Sequence, residues 1–161
     1  MGKIKILAMD IDGTLTNGKV YMGSSGELFK AFDIKDGYAI YQILPDNGII
    51  PVVITGRESE IVRSRCAELG VTEVYQASID KRSILTKIAQ DKGLEIREDG
   101  VIKGCAFIGD DCLDIPGIEV SEFSGCPNDA TEEVKGIVDY VCKKRGGDGA
   151  VREFVEWCIS L

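Results

Sequence analysis

Residues 4–16 read Ile-Lys-Ile-Leu-Ala-Met-Asp-Ile-Asp-Gly-Thr-Leu-Thr, and this stretch decides the fold. An apolar run with β-branched residues predicts a buried strand, and it stops abruptly at Asp10-Ile11-Asp12-Gly13-Thr14. The alternation of an extended chain puts Asp10 and Asp12 on one side and turns Ile11 into the core. Gly13 lets the backbone turn away. Paired carboxylates at the carboxyl end of a parallel strand lie where open α/β sheets hold their ligands. Two such groups repel, so a divalent cation is expected between them, one carboxylate ligating and the other free to move a proton. An Asp-Gly pair is also an ordinary turn signal, so residues further along must decide.

Working outward, residues 20–22 and 28–32 flank Gly23-Ser24-Ser25-Gly26 and predict a β-hairpin standing beside the two aspartates. Asp36 is expected to cap a helix carrying Tyr38, Ile40, Ile43 and Leu44 and ended by Pro45 and Asn47-Gly48. Residues 49–54 form a second apolar strand that delivers Thr55-Gly56-Arg57. A helix over 58–69 carries Arg63 and Arg65 and stops at Gly70. A short strand at 73–75 leads to Asp80-Lys81 and a helix with Ile84, Leu85, Ile88 and Ala89 on one face. After a polar connection over 93–100, the strand at 105–108 empties into Gly109-Asp110-Asp111-Cys112-Leu113-Asp114. Beyond it, a strand at 118–123, a helix at 129–135, an edge strand at 137–141 and a closing helix through Val151, Phe154, Val155 and Trp157 are expected. The alternation argues one doubly wound parallel α/β domain over 1–161, with a projecting hairpin and no inserted cap.

Composition narrows the chemistry. The 161 residues are 44 % hydrophobic, which suits a packed domain rather than a disordered chain. Nineteen Lys and Arg against 27 Asp and Glu give a net charge of −8, which disfavours nucleic acid or an anionic membrane as partner. With no His, imidazole catalysis and zinc–histidine sites are excluded. The 6 Cys contain no C-x-x-C pair and read as reduced, buried thiols. The chain runs from Met1 almost straight into a strand, with no signal peptide and no membrane-length apolar run, so a cytoplasmic protein is expected.

Four strands thus end in polar residues: Asp10 and Asp12, Thr55, the Lys81 region, and Asp110, Asp111 and Asp114. On a parallel sheet these loops share one edge. A carboxylate can attack phosphorus, a hydroxyl and a lysine can hold phosphoryl oxygens, and oxygen ligands from both acidic loops suit Mg²⁺. Taken together, Asp10-Ile11-Asp12-Gly13-Thr14-Leu15-Thr16, Thr55-Gly56-Arg57, Lys81 and Gly109-Asp110-Asp111-x-x-Asp114 resemble the four motifs of the haloacid dehalogenase superfamily. The segments beginning at Gly26, Asp36, Arg65, Tyr75 and Arg145 extend the likeness, over nearly the whole chain, to the small 3-deoxy-D-manno-octulosonate 8-phosphate phosphatase branch.

That resemblance implies a Mg²⁺-dependent sugar-acid phosphatase of lipopolysaccharide biosynthesis. Asp10 would be the nucleophile and Asp12 the acid and then the base. Mg²⁺ would be held by the Asp10 carboxylate, the Asp12 carbonyl and Asp110. Thr55 and Lys81 would hold the phosphoryl group, with Gly56 beside them, while Asp111 and Asp114 orient metal waters or Lys81. Arg65 is the expected cation for a substrate carboxylate, and Arg57 is a further substrate-binding residue. Arg57 favours the octulosonate 8-phosphate over nine-carbon sugar-acid 9-phosphates, whose phosphatases tend to carry Glu there; a permissive sugar phosphatase is the alternative. The branch also implies a homotetramer with residues 20–32 at the interface and neighbouring chains completing each active site. Two features depart from it: Ala77 where relatives often carry Gly, and a shorter tail ending at Leu161. The rivals outside the branch are a phosphoacceptor receiver domain and a silent binding relative.

Overall fold

The computed structural model describes residues 3–161. Its strands are β1 (Ile6–Met9), β2 (Tyr21–Gly23), β3 (Gly26–Phe29), β4 (Ile50–Ile54), β5 (Glu73–Tyr75), β6 (Ile102–Ile108), β7 (Ser121–Cys126) and β8 (Tyr140–Val141). Six of them form a wholly parallel sheet in the order β5-β4-β1-β6-β7-β8. β2 and β3 pair only with each other, as an antiparallel hairpin.

The sheet is covered on both faces, and the alternation within β1 shows why. Leu7 and Met9 join Val53, Ala106 and Ile108 in one core. Helices seal that core: α1 (Ile34–Tyr38) runs through a π-helical turn (Ala39–Ile43) into α2 (Leu44–Asp46), beside α3 (Glu60–Glu68) and, from the far end of the chain, α7 (Ala150–Ile159). Ile6 and Ala8 point the other way, to Val52, Ile54 and Phe107. Leu85, Ile88 and Ala89 of α4 (Lys81–Asp91), Ile118 of α5 (Ile115–Glu119) and Val134 of α6 (Glu132–Lys135) close that side. Each fully buried large apolar side chain contributes about 1.5–3 kcal/mol. Strands buried on both faces must be apolar throughout, and β1, 0 % exposed along its length, obeys that rule. This is the expected doubly wound α/β fold with its hairpin; the segment joining β1 to β4 holds only that hairpin and the first helical run.

Three local expectations change. Asp33, not Asp36, caps α1, accepting from the backbone N–H groups of Lys35 and Asp36. Asp36 is instead buried, and its Oδ1 accepts from Arg152 N at 2.9 Å, at the start of α7. Pro45 does not end its helix. The wider turn passes the ladder to an i−5 bond, Leu44 N to Ala39 O, and Pro45 lies at the start of α2, where a missing N–H costs little. Residues 118–123 are not one strand: Ile118 and Glu119 finish α5, and β7 begins at Ser121. Pro116 sits in the first turn of α5, where proline is favoured, and a short apolar run reads alike as strand or buried helix.

Candidate active site

All four polar strand ends meet at the carboxyl edge of the sheet, around an open cleft of about 270 Å³ lined by Asp10, Asp12, Thr55, Gly56, Arg57, Ser78, Ile79, Lys81, Asp111, Leu113 and Asp114. Asp10 follows the last residue of β1, and its N–H donates to Ile108 O at 3.1 Å, so the two central strands set its position. The next residues wrap tightly: the N–H groups of Thr14, Leu15 and Thr16 all donate to Ile11 O. Ile11 itself is in the core, as alternation requires. Gly13 has φ +95°, and a Cβ there would lie 2.0 Å from Asp110 Oδ2. Backbone conformation and space both demand glycine, because the second acidic loop packs directly on the first. Thr14 adds a hydroxyl donor to Asp110 Oδ1 at 3.1 Å.

Lys81 is the first residue of α4, whose start is capped by the Asp80 carboxylate accepting from Ser83 N. A cation at a helix N-terminus opposes the helix dipole, and this one is also buried to 2 % exposure. Two carboxylates offset both costs: Nζ donates to Asp10 Oδ1 at 2.8 Å and to Asp114 Oδ1 at 2.6 Å. Burial favours the neutral amine, but the charges of Asp10 and Asp114 and their hydrogen bonds outweigh it and raise the Lys81 pKa. Asp114 is fully committed, since its Oδ2 accepts from Asp110 N at 2.8 Å and Asp111 N at 3.1 Å. It is therefore a strut that holds Lys81 and the acidic loop together.

Asp10, Asp110 and Asp114 each offer a carboxylate oxygen within 4.8 Å of the others. Burial, then the neighbouring carboxylates, pushes the pKa of both Asp10 and Asp110 upward; at Asp10, Lys81 works against that rise. An all-oxygen, mutually repelling set suits a hard divalent cation, which would remove the repulsion. With both Asp114 oxygens engaged, Asp10 and Asp110 are its better-placed side-chain ligands.

Thr55 is buried beyond β4, held by Thr55 N to Tyr75 O at 2.9 Å. Its carbonyl accepts from Ser78 N, and Arg57 O accepts from Ala77 N, so this loop and the one leading to Lys81 are stitched together. Ala77 makes that turn with φ +51°, a left-handed conformation, which explains why glycine suits the position. Asp111 is exposed, lines the cleft and accepts from Cys112 N at 2.7 Å; it touches neither Lys81 nor Asp10.

Arg65 lies apart from the other predicted site residues. It does not line the cleft of its own chain. Its guanidinium lies over Phe32, 5.7 Å from the ring centroid, packs on Gly37 and pairs with Glu68 at 2.9 Å. The helix periodicity that turns Val62 and Cys66 into the core carries Arg65 under the foot of the hairpin instead.

Two parts of the site had no chemical role in the sequence reading. Lys30, after β3, donates to Asp12 Oδ1 at 2.6 Å. Gly146 and Gly147 press on the Asp10 loop: Gly147 N donates to Thr14 O at 3.1 Å, and a Cβ on Gly146 would lie 2.0 Å from Gly13 O. The Gly-Gly pair signals close backbone approach, but not what is approached.

No protein-family model matches the chain. It is 39 % identical over 150 residues to the 3-deoxy-D-manno-octulosonate 8-phosphate phosphatase of Escherichia coli K12, covering 93 % of this chain and 76 % of that protein. The Haemophilus influenzae phosphatase of the same name is 34 % identical over 157 residues, covering 98 % and 83 %. Among solved structures, the Moraxella catarrhalis phosphatase in complex with magnesium, phosphate and KDO superposes with a TM-score of 0.88 at 36 % identity, over 98 % of this chain and 86 % of that one. The cobalt-bound H. influenzae enzyme gives 0.89 at 32 %, over 98 % and 88 %. With this identity over most of both chains, and the four motif loops meeting at one cleft, the chain belongs to the 3-deoxy-D-manno-octulosonate 8-phosphate phosphatase family of haloacid dehalogenase-like hydrolases.

Proposed function

We propose that this protein is a Mg²⁺-dependent phosphatase of sugar-acid phosphates, with 3-deoxy-D-manno-octulosonate 8-phosphate as its substrate. One observation carries the reading: the carboxylate at the end of β1 lies 2.8 Å from a buried lysine ammonium, in a cleft that also holds Thr55 and Asp12. A nucleophile, a phosphoryl-binding cation, a hydroxyl and a second carboxylate converge there. An Asp10 oxygen attacks phosphorus, Asp12 protonates the leaving sugar oxygen, and an aspartyl phosphate forms. Asp12 then takes a proton from the water that releases phosphate. Lys81 and Thr55, with the Gly56 backbone beside them, hold the phosphoryl oxygens in line. The Asp10 carboxylate, the Asp12 carbonyl and Asp110 would hold Mg²⁺, which when bound neutralises the acidic cluster and polarises the phosphoryl group. Asp114 orients Lys81, and Asp111 orients water at the cleft rim.

For the substrate carboxylate, Arg57 is the supporting cation; it is half-exposed at the cleft, whereas Arg65 is turned away. The named relatives and the KDO complex of the M. catarrhalis enzyme point to the same sugar acid. We further propose a single capless domain that assembles as a homotetramer through the hairpin, where Val20, Met22, Leu28 and Phe29 are exposed apolar side chains. A cytoplasmic location fits six free cysteines and the absence, among the described residues, of any helix able to cross a membrane. Phosphate release with Mg²⁺, and its loss in EDTA, should be measured on the octulosonate 8-phosphate, a nine-carbon sugar-acid 9-phosphate and a neutral sugar phosphate. The octulosonate should have the highest kcat/KM. Preference for the neutral sugar would sink the carboxylate argument, and full activity after chelation would sink the metal.

A further inference from the structure

Lys30 leaves the end of β3 and buries its side chain to 2 % exposure between two carboxylates. Its Nζ donates to Asp12 Oδ1 at 2.6 Å and to Glu27 Oε2 at 3.0 Å. Glu27 accepts from Ser59 Oγ at 3.2 Å and lies 3.6 Å from Arg57 Nη1. A chain of charge-assisted contacts thus runs from Asp12 through Lys30 and Glu27 to Ser59 and Arg57. It joins the loop after β1 to the loop after β4, carried by a hairpin that pairs with neither strand. A lysine on a projecting hairpin has water within reach, and lysines ordinarily keep their ammonium there. Among the described residues, Lys30 is the one hydrogen-bond partner of the Asp12 side chain. It occupies Oδ1 and leaves Oδ2 without a protein partner, on a residue that lines the cleft.

We propose that Lys30 is a positioning residue for the reaction: by holding Oδ1 of Asp12, it turns Oδ2 to the bridging oxygen of a bound phosphomonoester, and Glu27 locks that orientation to Ser59 and Arg57. This rests on the phosphatase reading above. In the first step an Asp10 oxygen bonds to phosphorus. The ester P–O bond breaks with its electron pair going to the sugar oxygen, which takes the proton from Asp12 Oδ2. In the second, water bonds to phosphorus, its proton passes to Oδ2, and the bond from phosphorus to Asp10 breaks to free phosphate. A carboxylate free to rotate spends much of its time misdirected, and proton transfer of this kind is worth about 10²–10⁴-fold.

A leaving group that needs no proton tests this. Single-turnover rates should be measured for Lys30→Met and Lys30→Arg with the sugar-acid phosphate and with p-nitrophenyl phosphate, whose nitrophenolate departs unprotonated. Lys30→Met should slow the sugar ester by about 100-fold, with KM little changed, and nitrophenolate release by less than about fivefold. Lys30→Arg, which keeps the cation, should recover most of the loss. Equal losses on both substrates, or none on either, would overturn the proposal. If Lys30→Met does not fold, Glu27→Gln carries the comparison, with about a tenfold loss confined to the sugar ester. Asp12→Asn separates the two readings. A wild type active on both esters, with Asp12→Asn slowed equally on them, removes Asp12 as the acid and the proposal with it. A wild type inactive on both ends the phosphatase reading itself.

Discussion

Lys81 and Lys30 each sit between two carboxylates, Lys81 with Asp10 and Asp114 and Lys30 with Asp12 and Glu27. The two clamps share a composition and differ in support. Lys81 starts an eleven-residue helix packed on the six-stranded sheet, and its partners lie in loops fixed by β1 and β6. Lys30 hangs from strands of three and four residues on which Met22, Leu28 and Phe29 are exposed. A two-stranded hairpin alone is marginally stable. The same ion-pair chemistry is therefore rigid at one end of the cleft and, at the other, dependent on whatever covers the hairpin.

The largest expected effect tests the rigid side. Lys81→Met leaves Asp10 and Asp114 buried without their cation, which should cost about 3–5 kcal/mol of stability in chemical denaturation and at least about 100-fold in kcat. Lys30→Met should cost no more than about 2 kcal/mol, because Asp12 and Glu27 can recruit water. Equal stability losses for the two variants would break the comparison.

The next effect tests what covers the hairpin. Phe29→Ser removes an exposed ring that would be buried in a tetramer, weakening assembly by about 1.5–3 kcal/mol. Light scattering should find smaller species at low protein concentration, with activity falling in step. A wild-type monomer of full specific activity would show that the hairpin stands without a partner.

The smallest effect concerns a buried carboxylate with no lysine at all. Asp36 Oδ2 has no hydrogen-bond partner, and burial, then Asp33 and Asp148 nearby, pushes its pKa up to about 6 against the pull of Arg152 N. A carboxyl that holds its proton more tightly folded than unfolded favours the fold below about pH 4, and that contribution is lost as pH rises through about 6. Asp36→Asn should abolish this loss, narrowing the stability difference between pH 4.5 and 7 by about 2 kcal/mol in urea titrations at both pH values. An unchanged difference would mean that Asp36 titrates normally.

The main strands and α4 were legible because burial on both faces leaves a plain apolar run and an amphipathic helix a plain stripe. What was misread lies where two signals coincide. Asp33 and Asp36 are both capping residue types, and only the path of the chain gives the cap to one and the α7 contact to the other. The run from Ile118 to Phe123 spans a helix end and a strand, and a run that short carries no period. For Arg65 the position along the sequence left the direction open, and the rotation of α3 sets it above Phe32 and Gly37.

The sequence by itself determined the parallel α/β architecture, the acidic strand ends and the oxygen-ligand chemistry, since these follow from local periodicity and side-chain type. Only the tertiary structure decided which charges meet. Lys81 and Asp114 are 33 positions apart, Lys30 and Asp12 are 18, and Gly147 reaches Thr14 from the far end of the chain. Such contacts depend on the order in which strands pair and on how loops lean across the sheet edge, and no residue carries that information alone. Burial then turns those meetings into chemistry, because low-dielectric surroundings make each paired charge strong and each unpaired one costly.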